Sequence, residues 1–440
     1  MSAGAGIALV LGALGVLMLG VKGLQGSGRV GPELSRKLVH MGMGACCLGF
    51  PWLFAAPWPA WLLAGLAVIA LGAVRLVPAL RDRFGAVLGG VDRASWGELY
   101  FPVGVAIVFT LAGREPRFFC IPVAILAFAD AAGALVGKRW GRNRYEAVES
   151  TKSVEGSAAV LLVTWACVTG GLAICTDLAW PDRWLAGLGL GLFAMLVEAV
   201  SWRGLDNLLL PLAAFAQLKV IARLEPAELA TRVVLLGALT LFMLAWRRRS
   251  LLDDSARLGA ALAAYLFWSV GGWQWLVAPA VLMASYTRLM PTIPGGPPRH
   301  NLAAIVCIAS AGLPWMLAQS LVPDPRWLWL FTLGLATQQA IIAAVRFSQG
   351  RPQWRPWQWW LVAVTQAAAL QGGVFLAING PTFVPPASLL TGAASLAAAL
   401  GLFMIWDPRL RLPDDLNARW WRQGVTAGLA SVAGYVVMQS

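Results

Sequence analysis

Residues 150–171 read STKSVEGSAAVLLVTWACVTGG, a polar and charged start that passes directly into an apolar run. The run has the length and character of a helix crossing a hydrocarbon core of roughly 30 Å. Its start has helix-entry chemistry: Ser150, Thr151 or Ser153 can cap, and Glu155 falls in the first turn, where a carboxylate complements the helix dipole. A simple anchor needs only the lysine at such a mouth, so the pairing of Lys152 with Glu155 asks for a further reason. Comparable apolar runs recur along all 440 residues, of which 59% are hydrophobic and 12% charged. The sequence therefore predicts an all-α, polytopic integral membrane protein, with about sixteen transmembrane helices in two bundles. Among the expected segments are 38–56, 97–113, 118–137, 155–175, 206–222, 258–271, 273–287, 301–321 and 423–437.

If these helices alternate in direction, one set of loops holds 27 of the 34 Lys and Arg residues. The positive-inside rule makes that side cytoplasmic and puts both termini outside, with the cell inner membrane the expected location. The N-terminal run lacks a positive region before it and reads as a retained helix rather than a cleaved signal. The net charge of +13 then reports orientation and anionic headgroups, and no nucleic-acid partner is expected. Cysteines 46, 47, 120, 167, 175 and 307 all lie in apolar segments without a CxxC, and there are two histidines in all. Neither a disulfide framework nor a zinc site is indicated.

The carboxylates divide the chain. After residue 220 every acid falls in a predicted loop, whereas Asp130 and Glu198 lie inside or near the end of apolar runs, and Glu98, Glu155 and Asp206 stand at run edges. A carboxylate at membrane depth costs about 2.5 kcal/mol or more unless it meets a partner, a metal or water. The chemistry is therefore expected in a catalytic transmembrane domain, residues 1–225, followed by a second bundle, 226–440, without an assigned role.

Four polar clusters share the expected cytoplasmic face: ELSRKLVH (33–40), RASWGELYFP (93–102), residues 130–157, and EAVSWRGLDN (198–207). In the third, Gly133, Gly137 and Gly141 form a smooth stripe beside Asp130. The stripe reads either as a small-residue helix contact or as a surface that lets phosphates approach, with Lys138, Arg139, Arg142 and Arg144 supplying charge. GALVGKRW is not a P-loop: its glycine spacing is one residue short, and no Ser or Thr follows the lysine. Arg36, Lys37 and His40 share one helix face, either as a snorkelling basic anchor or as a phosphate clamp. Lys152 suits a phosphate at a helix N-terminus, and Glu155 with Asp130 suits a hard divalent cation.

The ordered pattern Asp130, Gly133, Gly137, Lys138, Gly141, then Lys152, Ser153, Glu155, Gly156 and Ser157, resembles the integral-membrane dolichol kinase and phytol kinase (polyprenol kinase) group, distant relatives of phosphatidate cytidylyltransferase. RKLVH (Arg36, Lys37, His40) and the pattern Glu198, Asp206, Asn207, Pro211 resemble the same group, so the likeness covers roughly residues 30–222. It implies transfer of the γ-phosphoryl of a nucleoside triphosphate, usually CTP, to an isoprenoid alcohol such as phytol or dolichol, with Mg²⁺ as the ion. Asp130, Glu155 and Asp206 would position the metal. Lys152, Lys138 and Arg36 would bind phosphates, with Lys37, His40, Asn207 and the glycines and serines of the motif around the nucleotide, and Asp206 or Glu198 would orient the alcohol. The expected partners are a lipid alcohol, the nucleotide and membrane lipids.

Three other readings compete. A cytidylyltransferase shares the K-S-x-E-G stretch, but its downstream signature is replaced by SWRGLDNLLLP. A transporter would string the carboxylates across the bilayer. An assembly protein with a decayed site would tolerate loss of Lys152 and Glu155. In the second half, residues 258–289 are faintly similar to the opening of an uncharacterised membrane family that includes phytyl-phosphate kinase. That family's acidic helix is replaced by LGLATQQAIIAAV (333–345), where Gln338 and Gln339 are no anionic ligands, so this half is expected to be catalytically silent.

Overall fold

A computed structural model describes residues 2–77, 96–148, 151–248, 250–293, 299–407 and 416–439. The expected loop cations Arg81, Arg83, Arg93, Arg249, Arg409 and Arg411, and the candidate cap Ser150, lie outside the described residues. The chain forms two compact units, Met1–Ala238 and Leu239–Ser440, so the division falls inside a helix rather than at residue 225.

The first unit comprises α1 (Ala3–Gly26), α2 (Pro32–Leu48), α3 (Trp58–Leu76), α4 (Gly97–Ala112), α5 (Pro116–Ala124), α6 (Asp130–Trp140), strands β1 (Arg144–Glu146) and β2 (Thr151–Ser153), α7 (Val154–Cys175), α8 (Trp180–Val200), α9 (Asp206–Ile221) and, as far as Ala238, α10 (Pro226–Ala245). A π-helical turn, Ile125–Ala129, joins α5 to α6. In hydrocarbon every backbone polar group must be satisfied within its own segment, which is why apolar stretches become helices throughout. Phe50, Phe109 and Phe119 form an aromatic centre, with ring centroids 5.1–6.0 Å apart.

The hairpin β1–β2 departs from the all-α expectation. Its antiparallel register sets Arg144 opposite Ser153, Tyr145 opposite Lys152 and Glu146 opposite Thr151. What reads in sequence as a basic loop is thus pinned, and Val154 N–H donates to the Asn143 carbonyl at 2.9 Å to lock the strand onto α7. Ser153 is the N-cap: its hydroxyl accepts from Gly156 N–H at 3.1 Å.

The glycine stripe is a helix contact. A Cβ at Gly133 would stand 2.5 Å from Val160 Cγ2, and one at Gly156 would stand 2.8 Å from the Gly133 carbonyl and 3.2 Å from Gly137 Cα. The missing side chains let α6 and α7 touch through their backbones, so the surface expected to admit phosphates is filled by α7.

Among the described residues nine helices are long and apolar enough to cross a membrane, or ten if the bent pair at 302–321 counts as one. Of the other expected segments, 97–113 is a 16-residue helix. Residues 38–56 break at Gly49, whereas the expected segments 258–271 and 273–287 are separated at Gly272.

The second unit contains α11 (Asp254–Gly271), α12 (Val277–Arg288), α13 (Leu302–Ser310), α14 (Leu313–Leu321), α15 (Pro325–Gly350), α16 (Pro356–Ala367), α17 (Gly373–Asn379), α18 (Pro386–Trp406) and α19 (Leu416–Gln439). Helices α13 and α14 meet at a bend of 52°. The apolar window of α15 is wholly enclosed by protein, so this helix is the axis of the unit. Its Gln338 and Gln339 serve the interior. Gln338 donates to the Cys307 carbonyl at 3.1 Å and accepts from Gln423 at 2.5 Å, while Gln339 accepts from Gln371 at 2.8 Å.

Replacing Gly156 by Ala forces backbone apart on α6 and should lower stability by about 1–3 kcal/mol in detergent unfolding. Gly170→Ala, with nothing within 4 Å of its Cβ, should be neutral or slightly stabilising. Equal effects at the two positions would refute the backbone contact.

Candidate functional site

Asp130 opens α6 immediately after the π-turn and is 7% exposed. Lys37, 4% exposed, donates to its Oδ2 at 2.6 Å. His40 lies one turn farther along α2: its Nε2 is 2.9 Å from the Leu126 carbonyl and 3.4 Å from Asp130 Oδ2. The approach is possible because Gly44, on the same face of α2 as Lys37 and His40, packs against Ala127 inside the π-turn, with no room there for a Cβ. A π-turn frees backbone groups from the regular ladder, and a carbonyl within this one finds a side-chain partner in His40. Phe101 of α4 closes over the ring edge-on, at 4.9 Å between centroids.

The trio on RKLVH therefore divides. Lys37 and His40 face Asp130, while Arg36 turns to Glu33 at 2.6 Å. Arg36 keeps within electrostatic reach of Asp130 and Glu98, and Lys138, exposed near the end of α6, keeps within reach of Glu33.

The hairpin aims Lys152 at the C-terminal end of α8. Its ammonium donates to the Glu198 carboxylate at 2.7 Å and to Glu198's own main-chain carbonyl. Burial opposes the charge, but the Glu198 carboxylate and its hydrogen bond prevail and hold Lys152 above its ordinary pKa. A lysine ammonium has three donors, so one N–H remains after both bonds to Glu198. Beside it, Tyr145 and Ser157 share a hydroxyl–hydroxyl bond of 2.7 Å.

The turn before α9 completes the cluster. Arg203 (φ 52°) and Gly204 (φ 80°) reverse the chain in the left-handed region. The Arg203 carbonyl accepts from Trp96 N–H at 3.0 Å, tying the start of α4 to the turn, and a Cβ at Gly104 would meet the Asn207 carbonyl at 2.8 Å. Asp206 lies within electrostatic reach of Asp130, Lys152, Glu198 and Lys37, so the acids are gathered in one region. Asp206 Oδ1 and Asn207 Oδ1 are both buried without a hydrogen-bond partner. Two buried acceptors on consecutive residues, each without a donor, call for a cation or an O–H group.

Glu155 is placed elsewhere. Its carboxylate accepts from Asn143 N–H at 3.1 Å and from Asn143 Nδ2 at 3.0 Å, so it braces the hairpin entry. Among the described residues no three of His, Cys, Asp and Glu are grouped to hold a metal ion. The expected set Asp130, Glu155 and Asp206 is thus not assembled, because Glu155 is spent on Asn143. The pair Asp130 and Asp206, with Asn207, remains. Ser153 and Gly156 are buried in the helix cap and the helix contact, and Gly141 abuts Ser153. Sequence reasoning passed over Asn143 and Tyr145; the available signal was the pair of short strand-like stretches RYE and TKS flanking a polar turn.

The chain is 31% identical over 195 residues to the phytol kinase of Synechocystis sp., an alignment covering 41% of this chain and 76% of that protein. No family model matches the chain, and no solved structure matches it.

Lys37→Ala leaves Asp130 buried without its main partner and should cost about 3 kcal/mol or more. Arg36→Ala removes a half-exposed surface pair and should cost under about 1 kcal/mol. The opposite ranking in detergent unfolding would show that the buried pair is not the dominant one. Because the Lys152 pKa is raised, the stability its pairing contributes is complete below the ordinary value of 10.5 and is lost only above it. The difference in unfolding midpoint between wild type and Lys152→Met should therefore be flat through neutral pH; a slope there would contradict the pairing.

At this identity and coverage, and with Asp130, Lys152, Asp206 and Asn207 carried on the elements just described, the chain belongs to the phytol kinase family.

Proposed function

We propose that the first unit transfers the γ-phosphoryl group of a nucleoside triphosphate, with CTP the expected donor, to the hydroxyl of an isoprenoid alcohol such as phytol or dolichol. The observation that carries this reading, beside the family, is the pair of buried, partnerless oxygens on the consecutive residues Asp206 and Asn207, with Asp206 in electrostatic reach of Asp130 and Lys152. They fit Mg²⁺, which typically takes one or two protein carboxylates and completes its shell with water and substrate phosphates. Asp206, Asn207 and Asp130 would hold the ion, which when bound neutralises phosphate oxygens during transfer. Glu155 is not part of this set.

The residues then divide the work. Lys152 directs its remaining N–H at a phosphate oxygen, and Glu198 fixes the ammonium in place. Lys37 orients Asp130 by direct donation and His40 packs beside it, while Arg36 and Lys138 raise the local positive potential for the incoming nucleotide. Of the two carboxylates expected to orient the alcohol, Glu198 is engaged with Lys152. Asp206 is left to accept the hydroxyl proton with one oxygen and to face the cation with the other. A long isoprenoid tail stays between helices, with only its hydroxyl reaching the polar cluster. The cluster faces the cytoplasm in this reading, as the positive loops require.

With purified full-length protein and Mg²⁺, label from γ-labelled CTP should appear on phytol, farnesol or dolichol, and α-label should not. Asp206→Asn should lower the rate by about 10² or more with little change in fold, and chelation should abolish turnover until Mg²⁺ is restored. Transfer of α-label would establish a cytidylyltransferase instead. Failure of CTP, ATP and GTP alike would sink the kinase reading.

A further inference from the structure

Among the described residues of the second unit, two buried cations make no ion pair with a carboxylate. Arg346, near the C-terminal end of α15, is 8% exposed, and Arg419, at the start of α19, is 5% exposed. Arg346 Nε and Nη1 and Arg419 Nε are buried without a hydrogen-bond partner, as is His300 Nδ1. The three side chains share one aromatic frame. The Arg346 guanidinium lies 5.3 Å from the Tyr286 ring centroid, and the Tyr286 hydroxyl meets His300 Nε2 at 2.6 Å. His300 stacks edge-on against Trp420 at 5.2 Å, and Arg419 lies 5.4 Å from that same indole.

Other arginines of this unit have acids. Arg257 pairs with Asp254, and Arg422 pairs with Asp407 at 3.2 Å. Asp407 acts on Arg419 electrostatically without an ion-pair contact, and its Oδ2 is engaged by Arg422 at 3.2 Å. Guanidinium keeps its charge at every physiological pH, and a buried ion without a counter-ion is strongly unfavourable. The frame also rejects a protonated imidazole: burial and then the Arg419 and Arg346 charges push His300 down to about 4. The ring is therefore neutral at pH 7, and in the tautomer in which the Tyr286 hydroxyl donates to Nε2, Nδ1–H is another donor of the set. Buried, forked, partnerless N–H groups on two cations match the oxygens of a tetrahedral dianion better than a single carboxylate.

We propose that Arg346, Arg419 and His300 form a phosphate-binding site in the second unit, which takes the phosphate group of a monoester or inorganic phosphate itself. Arg346 supplies two N–H groups, Arg419 and His300 supply one each, and Tyr286 and Trp420 hold the cations in register. The site differs from the Gln338–Gln339 network on the same helix, which is built of uncharged amides bonded to Gln371, Gln423 and main-chain carbonyls. It does not depend on the kinase reading of the first unit.

The test uses the full chain in detergent micelles. Inorganic phosphate and farnesyl monophosphate are titrated separately, with farnesol as the control, and binding is followed by calorimetry and by thermal protection. A Lys152→Ala background removes the phosphate contact proposed in the first unit. Binding should persist in that background, and Arg346→Gln or Arg419→Gln should weaken it at least about tenfold. Tighter binding of farnesyl monophosphate than of inorganic phosphate identifies a lipid phosphate as occupant, whereas equal binding identifies the free anion. Because each glutamine removes an unpaired buried charge, the unliganded variants should be no less stable than wild type; a purely structural role predicts marked destabilisation. Should a glutamine variant fail to fold, Arg346→Lys and Arg419→Lys keep the charge and lose the fork, and should still bind more weakly. Phosphate affinity unchanged in the variants, or no binding to the Lys152→Ala chain, overturns the proposal.

Discussion

The contact between Lys37 and Asp130, 2.6 Å long and closed off from solvent, is the constraint around which the first unit is organised. A carboxylate inside an apolar bundle is tolerated only when a cation and hydrogen bonds meet it there, and removing one partner leaves a buried charge. Meeting it requires α2 to approach the π-turn at backbone distance, which Gly44 and Ala127 allow. Once α2 is seated, His40 finds the Leu126 carbonyl and Phe101 covers its ring. The geometry of α6, and with it the contact to α7, follows from that placement.

A second pair, Lys152 with Glu198, ties the hairpin to α8 as the first ties α2 to α6. Together the pairs neutralise two of the three acids that gather there. Asp206 keeps an oxygen without a partner, and so does the following residue, Asn207. Fully satisfied polar networks rigidify a core, while a partly satisfied one is receptive to whatever completes it. The second unit has a related feature of opposite sign: a pair of buried arginines with nitrogens that lack partners.

Some features are legible because their causes lie within a few residues. Ser153 caps α7 through Gly156, three positions on, and Gly133 and Gly137 lie on one helical face by periodicity alone. What the sequence leaves open concerns choices between partners. Glu155 stands one turn from Lys152 in sequence, yet its carboxylate is satisfied by Asn143, because the hairpin folds that amide back over the helix start. The glycines allow either a phosphate or a helix to approach, and the helix takes the space.

The sequence by itself determined the membrane class, the helical character of the apolar runs, the concentration of acids in the first half and the family pattern from Asp130 to Ser157. Each of these depends on composition or on spacing within one element. Only the tertiary structure decided that Lys37 and not Arg36 meets Asp130 across 93 residues, and that Lys152 meets Glu198 across 46. It also decided which oxygens stay bare. Such pairings depend on how closely two helices can pack, and that distance is set by small residues such as Gly44, Gly104 and Gly156, whose effect is felt only when the opposing backbone is in place.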